Sequence, residues 1–147
     1  MLIAEMAAYY AQKGKSLYEA LQDIYKKYGF YAEKTVSFTM PGKDGMEKMA
    51  NILAGLRTNP PKSANGMDIV KYTDYKEQTI MLVDGSELPK SNVLRYDLSD
   101  GKTYFIIRPS GTEPKIKIYL GSNAETFDAA METVDAVLAD VKEQLGL

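Results

Sequence analysis

The stretch "TYFIIRPSGTEPKIKIYL", residues 103–120, decides how this chain folds. Thr103-Tyr104-Phe105-Ile106-Ile107 alternates and runs straight into Arg108. From Lys115 the alternation resumes, with Ile116, Ile118 and Leu120 on one face and Lys115, Lys117 and Tyr119 on the other. A period of two means extended backbone with one side buried. Two strands, about 103–108 and 115–120, therefore flank a loop of Pro, Ser, Gly, Thr and Glu that is longer than a tight hairpin turn.

The pattern continues outward from there. Asp100-Gly101 is a turn dipeptide that joins a strand at 92–98 to the one at 103–108. Further strands are expected at 67–73 and 79–83, with Asp84-Gly85 as a plain turn. Val36, Phe38 and Met40 alternate with Thr35, Ser37 and Thr39, so a half-buried strand runs from Glu33 until Pro41-Gly42-Lys43 breaks it. Asp44-Gly45-Met46-Glu47 has the residues of a helix start, followed by Met46, Met49, Ala50, Leu53 and Leu56 on one face. Asn59-Pro60-Pro61 ends that helix. Ser122-Asn123-Ala124-Glu125 has capping-box form ahead of Phe127, Met131, Val134, Leu138, Val141 and Leu145. These elements predict an α+β fold: a mainly antiparallel sheet with two helices on one face.

Residues 2–28 read instead as a helical hairpin. Leu2, Ile3, Met6, Ala7 and Tyr10 make one stripe, closed by Lys13-Gly14-Lys15. Ser16-Leu17-Tyr18-Glu19 is a capping box, and Leu17, Ala20, Leu21, Ile24 and Tyr28 form the next apolar face before Gly29. The expected division is 1–31 for the hairpin and 32–147 for the sheet domain. Periodicity already runs at residue 2 without a cap, as expected of a chain cut from something longer. The hairpin should then keep an apolar face that must pack on the sheet domain, pair with another chain or fray.

Composition narrows the chemistry. The chain has 147 residues, 45% hydrophobic and 26% charged, values typical of a soluble globular domain with a real core. A net charge of −2 argues against a general nucleic-acid binder. With neither cysteine nor histidine, disulfides, thiolate metal sites and the usual general base near neutral pH are all excluded. No signal peptide and no bilayer-length apolar run is found, so the expected setting is cytoplasmic, without a membrane partner. The acidic residues of the last helix (Glu125, Asp128, Glu132, Asp135, Asp140, Glu143) read as a solvated face rather than a metal site. Tyr9, Tyr10, Tyr18, Tyr25 and Tyr28 read as packing residues rather than a stacking platform, and Met46, Met49 and Met67 as core fillers.

The loop 108–115 is the one candidate site. Arg108 offers a planar fork for two phosphate oxygens. Ser110 and Thr112 supply hydroxyls, and Gly111 permits the dihedrals that let successive N–H groups converge on an anion. Pro109 and Pro114 stiffen the loop, and Lys115 and Lys117 follow on one face. The same residues also suit a surface turn in which Arg108 pairs with Glu113. The Gly-x4-Gly-Lys order of a Walker loop is absent.

The string Arg108-Pro109-Ser110-Gly111-Thr112-Glu113-Pro114, with the Lys/Ile alternation after it, closely resembles the phosphate-binding loop in the C-terminal domain of the α-D-phosphohexomutases. "LIAEMAAYYAQKGKSLYEALQDIYKKYG" is similar to the end of that family's third domain, and "KDGMEKMANILAGLR" to the first helix of its fourth. Essentially the whole chain is covered. The resemblance implies a TATA-binding-protein-like sheet domain, preceded by the end of a truncated domain. It also implies that Arg108, Ser110, Gly111 and Thr112, with Lys115 and Lys117 as further candidates, hold the non-reacting phosphate of a hexose phosphate. The family transfers a phosphoryl group through a phosphoserine with Mg²⁺. Its serine loop, Asp-rich metal loop and Glu-Glu-Ser-Gly sugar loop have no counterpart here. No catalytic residue, metal ligand or cofactor is therefore expected in this chain, which alone should be inactive. Mg²⁺ is expected in the full-length parent, and a phosphosugar and the parent's other domains are the expected partners. "KIKIYL" favours the phosphoglucomutase and phosphomannomutase branch over phosphoglucosamine mutase. A non-enzymatic module that reads phosphate on another molecule is the alternative from a different class.

Overall fold

The computed structural model describes residues 1–147. In chain order it contains α1 (Leu2–Gln12), α2 (Leu17–Tyr28), β1 (Phe30–Thr39), α3 (Gly45–Thr58), β2 (Ser63–Ala64), β3 (Met67–Asp74), β4 (Leu94–Leu98), β5 (Tyr104–Pro109), β6 (Lys115–Ala124) and α4 (Phe127–Leu145). Every strand pair is antiparallel, in the order β1-β6-β5-β4-β3-β2. The quoted stretch becomes two neighbours, β5 and β6, and the turn at Asp100 joins β4 to β5 as the sequence predicts. Asp100 accepts from the N–H groups of Lys102 and Thr103, which fixes that turn.

One face of the sheet is covered and the other is open. Ile116, Ile118, Leu120, Phe105, Ile107, Leu94, Tyr96 and Leu98 pack in one core with Met49, Leu53 and Leu56 of α3 and Ala130, Val134, Val137 and Val141 of α4. Each buried Leu or Ile contributes about 1.5–3 kcal/mol. Both helices thus lie on one face, the expected α+β arrangement. Tyr96 stacks on Phe105 with centroids 4.6 Å apart, and burial pushes its unpartnered phenol well above the ordinary value. No helix is long and apolar enough to cross a membrane.

Several sequence expectations need correction. Residues 79–83 form no strand; only Met81 and Glu87 bridge, because β3 pairs directly with β4 and leaves 75–92 as an excursion. Ser122–Glu125 is not a cap. The β1–β6 ladder extends to Phe30↔Ala124, Ser122 is buried against Thr103 at 2.8 Å, and Thr126 caps α4 by accepting from the Ala129 amide. Regular pairing with a ten-residue partner outweighs a local capping motif. Asp44 occupies the N-cap of α3 without a side-chain bond there. The helix buries Gly45, Met49, Leu53 and Leu56 and turns Met46 and Ala50 outward, so Met46 is no core filler. Phe127 is likewise exposed. The two-residue β2 is too short to give a period.

The N-terminal hairpin forms with its predicted capping box at Ser16 and Glu19. Its join to the sheet passes through Gly29 at φ +90°, where an added Cβ would come within 2.3 Å of the Asn123 side chain. Asn123 in turn donates to the Tyr28 carbonyl, and Tyr25 stacks on Phe30. Beyond that join little is covered. α1 buries no residue, and Leu2, Ile3, Met6, Tyr9, Leu21 and Ile24 are all exposed. In hydrogen exchange, α1 amides should therefore exchange far faster than those of α4, whose buried stripe is part of the main core. Equal protection of the two helices would contradict this.

The excursion 75–92 is pinned at its base. Arg57 Nε donates to Asp74 at 2.7 Å, and its Nη2 reaches Asn92 at 2.6 Å. Although burial pushes the Asp74 carboxyl up, hydrogen bonds from Arg57 and the Lys76 amide outweigh it and hold the group below its ordinary value. That stabilisation is complete above the unfolded carboxylate value of about 3.9 and is lost as pH falls through the lower folded value. Asp74→Asn should cost about 3 kcal/mol near neutral pH, and the gap to the parent chain should close below pH ~4, read by urea unfolding.

Candidate functional site

The 108–115 segment is a hairpin loop whose base is set by strand register. Arg108 pairs across to Lys117, and Pro109 to Ile116. The Ser110 N–H then donates to the Lys115 carbonyl at 2.8 Å, and the Lys115 N–H to the Glu113 carbonyl at 2.7 Å. The expected set of convergent amides is therefore smaller than the sequence suggests. Ser110 spends its N–H inside the hairpin, while Gly111 and Glu113 donate to no protein acceptor. Thr112 N–H reaches the Ser110 hydroxyl only at 3.5 Å. Gly111 does not adopt positive φ, because the two strands already close the loop and demand no left-handed residue. An added Cβ there would meet nothing within 4 Å, so the loop tip is open.

The charges at the loop mouth decide its character. Period two puts Arg108 and Lys117 on the open face, and register sets them side by side, with Ser37 of β1 next in the row. Neither Arg108 nor Lys117 takes part in any ion pair of the molecule. The pairing of Arg108 with Glu113 that a plain turn would offer is not made. Glu113 accepts instead from Lys115 Nζ at 2.8 Å, and that bond holds the Glu113 carboxyl below its ordinary value. Like charges directly opposite one another destabilise a sheet pair. Two adjacent uncompensated cations near free N–H donors and the Ser110 and Thr112 hydroxyls have the chemistry to hold an anion. Of the expected set, the structure brings Arg108, Lys117, Ser110, Gly111 and Thr112 to one place and ties Lys115 to its neighbour Glu113.

Two further residues hold the loop, and sequence reading missed both. Met40, just after β1, donates its N–H to the Pro114 carbonyl at 2.8 Å. Gly45, the first residue of α3, lies so close that a Cβ on it would fall 2.2 Å from the Met40 carbonyl oxygen and 2.9 Å from Pro114 Cβ. The loop base thus rests on the start of a helix. The one available signal was a glycine at a helix start that could equally have held any small residue. Gly45→Ala is expected to cost about 1–3 kcal/mol and to shift the amide resonances of residues 110–115. Gly111→Ala, entering open space, should leave stability unchanged.

Known proteins resemble this chain over most of its length. The model of the phosphoglucomutase/phosphomannomutase C-terminal domain matches residues 5–141. A phosphoglucomutase of Staphylococcus aureus (strain MRSA252) is 32% identical over 142 residues, which cover 93% of this chain and 25% of that protein. The phosphoglucomutase of Staphylococcus saprophyticus is 34% identical over 130 residues, covering 85% of this chain and 23% of its own length. In fold, the chain is similar to the open form of parafusin, a phosphoglucomutase from Paramecium, with a TM-score of 0.59 at 20% identity over 96% of this chain and 24% of that one. The chain thus spans about a quarter of the length of the relatives it matches.

Proposed function

This chain belongs to the phosphoglucomutase/phosphomannomutase C-terminal domain family, and on that footing we propose that it is the phosphate-gripping part of a hexose phosphate mutase. Residues 108–112 hold the phosphate that is not reacting, while the transfer, with its phosphoserine and Mg²⁺, is assigned to the other domains of a full-length parent. The gripping domain begins with β1 at Phe30, two residues before the expected boundary at 32, and the hairpin ahead of it is the end of the domain before it.

The observation that carries this reading is the pair Arg108 and Lys117, adjacent in register on an open face and without a carboxylate partner. Arg108 supplies the bidentate fork, Lys117 a second positive charge, and Ser110 and Thr112 hydroxyl donors. Gly111, without a side chain, leaves the phosphate room to approach the backbone. Their contribution is positional: binding energy spent on the distant phosphate orients the reacting end.

Titration of the chain with inorganic phosphate, followed by amide NMR, tests the reading. The Gly111 and Thr112 amides should shift most, with a Kd on the order of millimolar. Arg108→Ala should weaken binding at least about tenfold, the loss expected for charge-assisted hydrogen bonds. A flat titration at high phosphate would refute the grip, and uniform shifts in many surface lysines would indicate non-specific charge attraction instead.

A further inference from the structure

A third cation stands beside Arg108 and Lys117. Lys115 shares the open side of β6 with Lys117, one side-chain repeat nearer the loop tip and about 7 Å away along the strand. Its carbonyl accepts the Ser110 N–H at 2.8 Å, so its backbone is fixed at the base of the turn that carries the Gly111 and Thr112 amides. Glu113 is the only carboxylate in the 108–115 loop. Its Oε2 accepts from Lys115 Nζ at 2.8 Å. That bond, and after it the charges of Lys115 and Lys117, hold the Glu113 carboxyl below its ordinary value, so the group lies within electrostatic reach of both lysines. Neither Glu113 nor Lys115 has another side-chain partner, and at 58% and 26% exposure the pair is open to water. Ion pairs of that kind break readily.

The charges around the loop therefore balance in a particular way. Arg108, Lys115 and Lys117 are positive, and Glu113 cancels one of them. Two working cations remain, which match a phosphate monoester carrying about −1.5 to −2 at neutral pH. A third cation on the phosphate would tighten the grip, chiefly by slowing departure. A grip that holds ground state and transition state equally gains no rate from extra tightness. Resting on the phosphate reading above, we propose that Glu113 is a built-in counter-ion that sets phosphate release by detaining Lys115 away from the bound phosphate. With Glu113 in place, Lys115 stays on the carboxylate and the phosphate leaves readily. Without it, Lys115 turns onto the phosphate as a third donor. Glu113 is thus a positioning residue that acts through Lys115, and it does not itself touch the phosphate.

Inorganic phosphate, titrated into the 147-residue chain and its variants and followed by amide and lysine side-chain NMR, gives the test. Glu113→Gln should bind phosphate about three- to tenfold more tightly, through slower dissociation, the gain expected of one added charge at a partly solvated site. The Lys115 Cε resonances should move with phosphate in that variant and stay still in the unsubstituted chain. Adding Lys115→Met to Glu113→Gln should return the affinity to that of the unsubstituted chain, because the freed cation is gone. Glu143→Gln removes the same charge from α4, on the covered side of the sheet, and should leave the affinity unchanged. Unchanged or weaker binding in Glu113→Gln, a gain that persists without Lys115, or an equal gain in Glu143→Gln overturns the counter-ion role and leaves the phosphate grip standing. Failure of both the unsubstituted chain and Glu113→Gln to bind phosphate overturns the grip and the counter-ion with it.

Discussion

The ten-pair ladder between β1 and β6 is the constraint on which the rest of the molecule depends. It joins the first strand of the sheet to the last, across the 75 residues between Thr39 and Lys115, and places β6 between two partners. With both edges of β6 satisfied, its alternation becomes binding: Ile116, Ile118 and Leu120 must enter the core, and Lys115, Lys117 and Tyr119 must face outward. A slip of one residue would exchange those sets and put lysines under α4. The ladder ends where the loop begins, so that Met40 can reach Pro114 and the start of α3 can support the loop from below.

Placing two cations side by side has an electrostatic cost. Several other cations are matched: Lys34 with Asp135, Arg57 with Asp74, Arg95 with Asp97, and Lys115 with Glu113. Arg108 and Lys117 have no such partner and are held side by side by strand register rather than by attraction. Local conflicts of this kind are where a fold gives up stability to keep a site. The same open face bears the Arg95–Asp97 pair and Tyr104, so these polar side chains lie on the side of the sheet that no helix covers.

The helical hairpin stands outside this economy of matched faces. Its capping box and glycine hinge are as well formed as any feature of the sheet domain, yet α1 buries nothing. A helix whose apolar stripe has no cover derives little stability from packing, and propensity alone is marginal for eleven residues. The chain spans about a quarter of the relatives' length, and within it this stripe has no cover.

The sequence by itself determined the two alternating strands around residue 110, the turn at Asp100, the hairpin with its capping box, and the candidate anion donors, because period and turn chemistry are local properties. It misjudged Ser122–Glu125 and residues 79–83, where a local motif or alternation competes with pairing partners that lie far away in the chain. The inward face of α3 was found at Met49, Leu53 and Leu56 but drawn too wide at Met46 and Ala50, since Met46 and Met49 are equally apolar and only packing selects between them. Tertiary structure alone decided that Glu113 pairs with Lys115, that Arg108 and Lys117 stand unpaired together, and that Ser110 loses its amide to the hairpin. Those outcomes follow from cross-strand register and helix placement, which couple residues too distant in sequence to leave a pattern.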